Sequence, residues 1–344
     1  MTEDLAEICG DSSLDFSILR GKTFLISGAN GFLPAYMAET LLFLNETKNF
    51  GVKVIGLVRN RAKAEKRFAY YLGREDFRLD TQNLYERLEH TGSIDYVVHA
   101  ASQASPKYYG VDPAGTLAPN IVGTYHLLEL AREKSAQGFF YFSSSEVYGQ
   151  PTGEASLHEK SFGPLDCLQV RACYAESKRM GETMCLAWHQ QYGIPTFIVR
   201  PFHTYGPGLQ ANDGRVFADF VFNVLKSENI VMHSDGSARR AFCYASDAIA
   251  GFFSVLLKGT PAQAYNVANP GGELSVMELA ELLVGLYPAK HLAVDRRHAP
   301  DSPGYIPSAY SRLVPDVARL SALGWTAQID PPAGFRRMIE AYTA

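Results

Sequence analysis

The sequence predicts an α/β fold, a doubly wound parallel sheet with a smaller α/β domain attached. Three observations carry this. Short, β-rich apolar runs at residues 23–27, 52–58, 96–99, 139–142 and 196–199 are separated by stretches that can hold helices, and that alternation builds a parallel sheet wrapped by helices. A glycine turn, Gly28-Ala-Asn-Gly31, follows the first run directly. The fourth run, Phe139-Phe-Tyr-Phe142, leads straight into Ser143-Ser-Ser-Glu146; polar groups at the carboxyl end of such a buried strand face the ligand crevice of an open sheet.

Taken in order, residues 1–20 mix acidic and apolar side chains and read as an N-terminal extension packed loosely on the surface. Residues 21–200 then carry the sheet, a Rossmann-type dinucleotide-binding domain. After Arg200-Pro201 the pattern changes to shorter elements, with turn signals at Asn212-Asp-Gly214, Asp235-Gly236 and Asn269-Pro-Gly-Gly272. A helix with Ser246 or Asp247 near its start returns to the sheet. The expected division is therefore 21–200 plus about 241–262 for the sheet domain, and 201–240 plus about 263–344 for a second domain.

With 344 residues and 47% hydrophobic content the chain can bury a large core. A net charge of -4 without a basic block argues against nucleic acid or an anionic membrane as partner. No apolar stretch has the length of a membrane span, and residues 1–15 are acidic and lack a signal-peptide core, so a cytoplasmic location is expected. Cys9, Cys167, Cys173, Cys185 and Cys243 are scattered, which predicts free thiols, and neither they nor the histidines fall in metal-ligand spacing.

The chemistry is concentrated in two places. Gly28, Asn30, Gly31, Phe32 and Leu33 span a strand-turn-helix junction, where unpaired backbone donors fit a pyrophosphate. Pro34, at the third glycine position of the usual fingerprint, is tolerated in a helix's first turn. Tyr174 and Lys178 in Tyr-Ala-Glu-Ser-Lys lie on one helical face. The ammonium is expected to lower the phenol's pKa and to hold a cofactor ribose, so that the tyrosine can take a proton from a sugar hydroxyl. The second strand ends at Val58-Arg-Asn-Arg61 without the acid that meets NAD's ribose hydroxyls. Arg59 and Arg61 either meet a 2′-phosphate, which means NADP, or lie in a solvated loop.

Seven motifs in one order make the chain similar to the extended short-chain dehydrogenase/reductases of the nucleotide-sugar epimerase/dehydratase family. They are Gly28 to Pro34, His99-Ala-Ala-Ser102, Asn120-Ile-Val-Gly-Thr124, Ser144-Ser-Glu-Val-Tyr-Gly149, Tyr174 to Lys178, Arg200-Pro-Phe-His-Thr-Tyr-Gly-Pro-Gly208 and Arg240-Ala-Phe-Cys-Tyr-Ala-Ser-Asp247. Within the family, Ala101-Ser-Gln-Ala-Ser-Pro106 with Tyr109 and Pro113, Arg171-Ala-Cys-Tyr174, Glu182-Thr-Met-Cys185, Asn212-Asp-Gly-Arg-Val216 and Arg240 to Asp247 resemble the UDP-glucuronate decarboxylases most. The resemblance implies NAD held also by Ala100, Ala101, Asn120 and Arg200, and a nucleotide-sugar domain after the sheet. It implies Ser144, Ser145 and Glu146 around the reacting sugar, and Ser105, Tyr109, Arg215 and Arg240 on the substrate. A homodimer paired through helices of the sheet domain is implied as well.

The expected reaction is decarboxylation of UDP-glucuronate or a related nucleotide sugar through transient oxidation at C4. A 4,6-dehydratase or an epimerase using the same oxidation is the alternative. Arg171, three before Tyr174, is the candidate contact for a C6 carboxylate, since a guanidinium binds carboxylate through two hydrogen bonds; a helix-start or interface ion pair is the other use for it. His203 replaces the asparagine usual in the family, and an imidazole has one donor and one acceptor where an amide offers both from one end. A different sugar or nucleotide preference is one consequence, a satisfied structural histidine the other.

Overall fold

Leu5, Ile8 and Cys9 recur at the spacing of one helix face, and α1, Thr2–Gly10, buries all three. The computed structural model describes residues 1–151, 156–211, 213–297 and 312–343; Asn212, in a turn expected above, lies outside them. Within residues 1–20, Leu14, Phe16 and Leu19 are buried as well. This segment is thus part of the core and not a loose extension, because its apolar face has the gap between two helices to fill. Asp4 on α1 accepts hydrogen bonds from Tyr36 (2.9 Å) and Tyr244 (3.1 Å), which tie α1 to both halves of the molecule.

The sheet half runs β1 (Thr23–Ser27), α2 (Phe32–Lys48), β2 (Lys53–Val58), α3 (Arg61–Arg67), β3 (Phe77–Thr81), β4 (Tyr96–His99), α4 (Pro113–Glu133), β5 (Gly138–Phe142), α5 (Cys173–Tyr192) and β6 (Thr196–Pro201). β1 and β5 are buried at all five positions, as strands covered on both faces must be. Pro119 inside α4 leaves the Gly115 carbonyl without its helical donor, and the Gln103 side chain supplies one at 2.9 Å.

Beyond β6 come β7 (His203–Tyr205), α6 (Val216–Lys226), β8 (Ile230–Met232), β9 (Arg239–Tyr244), α7 (Ala245–Lys258) and β10 (Gln263–Val267). β10 joins the large sheet, whose order is β10-β6-β5-β4-β1-β2-β3 with parallel neighbours throughout. The doubly wound parallel sheet expected from the sequence is present, with two strands, β3 and β10, that the apolar runs did not announce. The sheet therefore continues to Val267, past the expected boundary near 262.

The remaining elements are β11 (Glu273–Ser275), α8 (Val276–Leu286), β12 (Val294–Arg296), β13 (Arg312–Leu313), α9 (Ala318–Ser321) and α10 (Pro331–Glu340). β7, β11 and β13 gather around β9. A second apolar core forms here from Tyr205, Phe217, Phe220, Phe242, Leu279 and Phe335, separate from the one around α2 and α7. No helix among the described residues is long and apolar enough to cross a membrane.

Candidate active site

β1, β4, β5 and β6 all end at one edge of the sheet, and the segments leaving them form the site. Gly28 leaves β1 at φ +65°, and a Cβ there would lie 2.7 Å from the Ala101 Cα. Only glycine allows both that conformation and that approach. Gly31 caps α2, Phe32 and Leu33 begin it, and Asn30 completes the turn. Gly31 is exposed, so the helix mouth opens to solvent.

The crevice wall opposite this turn is locked by a buried relay. Ser27 Oγ accepts from the backbone N–H groups of Ala100 (3.1 Å) and Ala101 (3.2 Å) and pairs with His99 Nδ1 at 2.8 Å. His99 Nε2 reaches Thr124 Oγ1 at 3.0 Å and the Pro119 carbonyl at 3.2 Å. Burial pulls the imidazole down to about 3, so it is neutral; a hydroxyl already accepting two bonds donates to Nδ1 and leaves the proton on Nε2. Asn120 donates to Thr116 and Ser177, while its Oδ1 and the Ser102 hydroxyl are buried and have no partner among the described residues. A tight glycine cradle facing unpaired polar atoms fits a dinucleotide, since such atoms are costly unless a ligand meets them.

Tyr174 and Lys178 project from the start of α5, both buried. Lys178 Nζ donates to the Phe142 carbonyl at 2.7 Å and lies 5.1 Å from the Tyr141 ring centroid and 5.8 Å from that of Tyr174. Burial pulls the ammonium down to about 7. The expected depression of the tyrosine does not hold here. Burial and then the Glu146 charge raise the phenol, the Ser144 hydroxyl opposes them, and the ammonium is spent on Phe142.

Ser144 caps the short turn Ser145–Tyr148 by accepting from the Glu146 N–H, which sets Ser145, buried, and Glu146 beside the tyrosine. Glu146 accepts from Arg171 Nη1 at 3.0 Å, and that guanidinium lies over the Tyr109 ring at 4.6 Å. Tyr109 stacks in turn on Tyr174, with centroids 5.0 Å apart. The expected carboxylate, phenol, hydroxyl and guanidinium thus meet in one cluster.

The other expected substrate residues are Ser105, Arg215, Arg240 and His203, and the charge of Arg215 reaches Tyr174. Ser105 donates to the Asp213 carbonyl, and Arg215 pairs with Asp213. Arg240 is buried and donates to its neighbour's carbonyl at 2.6 Å. His203 Nδ1 is buried with no partner among the described residues, so it is not a fully satisfied structural histidine there, and burial, then Arg240 and Arg215, hold this imidazole neutral.

Two expected cofactor residues are placed differently. Arg200 makes a bidentate pair with Glu182 (2.8 and 2.6 Å) and donates to Tyr148 Oη at 3.0 Å, so its guanidinium is occupied inside the protein. Arg61 is held by Glu65 and the Leu79 carbonyl, both at 2.8 Å, while Arg59, also exposed, stands directly after β2. Sequence reasoning gives Ser27, Glu182 and Tyr141 no role at the site, although Glu182 stands in a family-like segment. Glu182 carried a usable signal, since it continues the face of Tyr174 and Lys178 by one more turn.

Known proteins bear on this geometry. The profile of the NAD dependent epimerase/dehydratase family matches residues 24–268. UDP-glucuronic acid decarboxylase 3 of Arabidopsis thaliana is 31% identical over 322 residues, 92% of this chain and 88% of that protein. UDP-glucuronic acid decarboxylase 1 of Danio rerio is 31% identical over 94% of this chain and 73% of its own length. The crystal structure of UDP-glucuronic acid 4-epimerase from Bacillus cereus, in complex with UDP-glucuronic acid and NAD, superposes with a TM-score of 0.77 at 21% identity, covering 93% of this chain and 99% of that one. It shares the fold. The chain belongs to the NAD-dependent epimerase/dehydratase family, among the extended short-chain dehydrogenase/reductases.

Proposed function

We propose that this protein decarboxylates UDP-glucuronate, or a closely related nucleotide sugar, with NAD as a resident cofactor. The observation that carries it is Arg171, held by Glu146 beside Tyr174, where a guanidinium can meet a carboxylate on the sugar's C6. The curated relatives named as UDP-glucuronic acid decarboxylases support the substrate.

The cradle from Gly28 to Leu33, with Ala100, Ala101 and Asn120, would hold the dinucleotide. When bound, NAD supplies a reversible hydride acceptor for the sugar's C4. Tyr174 takes the O4 proton as its phenolate, a form that the positive charge of Lys178 and of a bound oxidised nicotinamide would favour against the burial that raises the phenol, with Ser144 donating a hydrogen bond to it. The 4-keto glucuronate is a β-keto acid, so breaking the C5–C6 bond releases carbon dioxide and leaves an enolate delocalised onto O4. Arg171 presents the carboxylate and hands it no proton, because a guanidinium stays charged. A substrate carboxylate that takes Arg171 frees Glu146, which then serves with Ser145 as the acid or water-orienting group at C5. Ser105, Tyr109, His203, Arg215 and Arg240 would hold the nucleotide and its diphosphate.

One observation favours dehydration or epimerisation instead. Arg171 already has a carboxylate partner in Glu146, and if it never leaves, nothing in the cluster selects C6. Mass spectrometry of the products from UDP-glucuronate and UDP-glucose decides between them: loss of carbon dioxide, loss of water and no change in mass separate the three reactions.

The proposal extends to a cytoplasmic homodimer. Val122, Tyr125, Met180, Leu186 and Tyr192 leave apolar surface exposed on α4 and α5, as an isologous helix face would. The five free thiols suit a reducing compartment. The apolar core of Tyr205, Phe242 and Phe335, separate from those that pack on the large sheet, supports a nucleotide-sugar half beside a dinucleotide half.

A further inference from the structure

Lys178 is a buried cation whose anchors are a backbone carbonyl and two aromatic faces. An ammonium so placed is expensive to keep charged unless an anion lies near. Glu182 stands one helical turn further along α5, on the same face. Its side chain is itself nearly enclosed, with 14% exposure against 11% for its partner Arg200. Ser143, the first residue after β5, donates to Glu182 Oε1 at 2.5 Å, and Arg200 at the end of β6 grips both carboxylate oxygens. Arg200 also donates to the Glu159 carbonyl (2.9 Å) and to Tyr148, whose hydroxyl donates to Asn266 Oδ1 of β10 at 2.5 Å.

We propose that Glu182 is a positioning residue for the reaction, fixing the Tyr174–Lys178 face of α5 to the ends of β5 and β6 while supplying the negative charge that keeps Lys178 an ammonium. The Tyr148 that closes the network ends the short turn carrying Ser145 and Glu146. One set of buried bonds therefore sets the spacing of both sides of the cluster. The groups facing Lys178 are Tyr174, Glu182 and Cys185 from α5, Tyr141 from β5 and His99 from β4. Of these, burial holds His99 neutral and pushes the Cys185 thiol and the Tyr141 and Tyr174 phenols up, so in the resting protein Glu182 is the anion of the set. Burial lowers Lys178, and both Cys185 and Glu182 oppose the fall; the first is a neutral thiol at working pH, which leaves the carboxylate.

The proposal rests on the assignment of Tyr174 and Lys178 above, and its test does not depend on turnover. Lys178 is titrated by NMR in protein carrying isotope-labelled lysine, its resonance assigned by its loss in Lys178→Met. Glu182→Gln should move the titration down by about one pH unit, the scale for removing one charge at this range. The alkaline limb of the turnover profile should move down with it. Glu182→Asp keeps the charge but draws it back by one methylene, and should shift the titration the same way by less than half as much. Thermal melting establishes that each variant is folded. An unchanged Lys178 titration in folded Glu182→Gln overturns the proposal; where that variant does not fold, an unchanged titration in folded Glu182→Asp does so. A moved titration upholds it even if UDP-glucuronate proves not to be the substrate, which the product masses decide separately.

Discussion

Arg171 and Glu146 meet at 3.0 Å, with the guanidinium lying over the Tyr109 ring that itself stacks on Tyr174. A guanidinium that is 43% exposed is easily exchanged between carboxylates, because the free energy of such a pair is small. If Arg171 passes to the substrate, Arg171→Ala should weaken UDP-glucuronate far more than UDP-glucose, whose C6 is a neutral hydroxymethyl. A charged hydrogen bond lost in the bound state costs about 2 to 5 kcal/mol, so the difference should exceed roughly tenfold in affinity. Arg171→Lys should restore part of it, since an ammonium lacks the planar fork. Titration calorimetry with both ligands measures this, and equal weakening of the two would leave Arg171 as a structural partner of Glu146.

Tyr174→Phe keeps the ring stacked on Tyr109 and removes the hydroxyl. Turnover should fall at least about a hundredfold with nucleotide-sugar binding retained, the scale for loss of a general base. Single-turnover kinetics and a binding isotherm separate the two quantities. Turnover close to that of the wild type would remove the phenol from the proton path.

An enzyme that reoxidises its own cofactor gains nothing by releasing it, so the purified protein should carry NAD(H), found by extraction and mass analysis. Gly28→Ala puts a methyl group into the Ala101 backbone at a positive φ, and strain of that kind costs about 1 to 3 kcal/mol. The variant should lose at least roughly tenfold in cofactor affinity. Recovery of NADP(H) in place of NAD(H) would reassign the exposed Arg59 to a 2′-phosphate.

The strands that form the sheet centre were legible because both their faces are buried, which leaves continuous apolar runs in the sequence. β3 was not, because it lies at the sheet edge and alternates, with Phe77 and Leu79 buried and Arg78 exposed. β10 is the other edge and opens with an exposed Gln263. α1 was readable from Leu5, Ile8 and Cys9, but its acidic residues pointed to a solvated extension; the burial of Asp4 against Tyr36 and Tyr244 depends on contacts distant in sequence. At the site, the residue types were legible and their pairing was not. Arg200 stands in a motif for cofactor contact, yet a carboxylate on another element claims it. Local patterns name candidate groups, whereas tertiary neighbours decide which of them are already satisfied.

Glu273 joins β11 to β9 and β13, accepting from Arg239 Nε at 2.8 Å and from Arg312 at 2.8 and 2.9 Å. Arg312, followed by Arg239, holds this carboxyl down to about 2 from an ordinary 4.5. A carboxylate depressed in the folded state contributes stability above its unfolded pKa, and the contribution is lost as pH falls through the folded one. The window therefore runs from about pH 5 down to about pH 2. The arginines are 36% and 47% exposed, so solvent screens the pair and reduces its worth to about 1 kcal/mol at neutral pH. Glu273→Gln should lower stability by that amount at pH 7, and the gap between wild type and variant should shrink to less than half by about pH 3. Urea unfolding of both proteins across the range measures the gap directly, and taking the difference cancels the other carboxylates that protonate in the same window. A gap that stays constant down to pH 3 would mean that Glu273 contributes through packing of β11 and not through its charge.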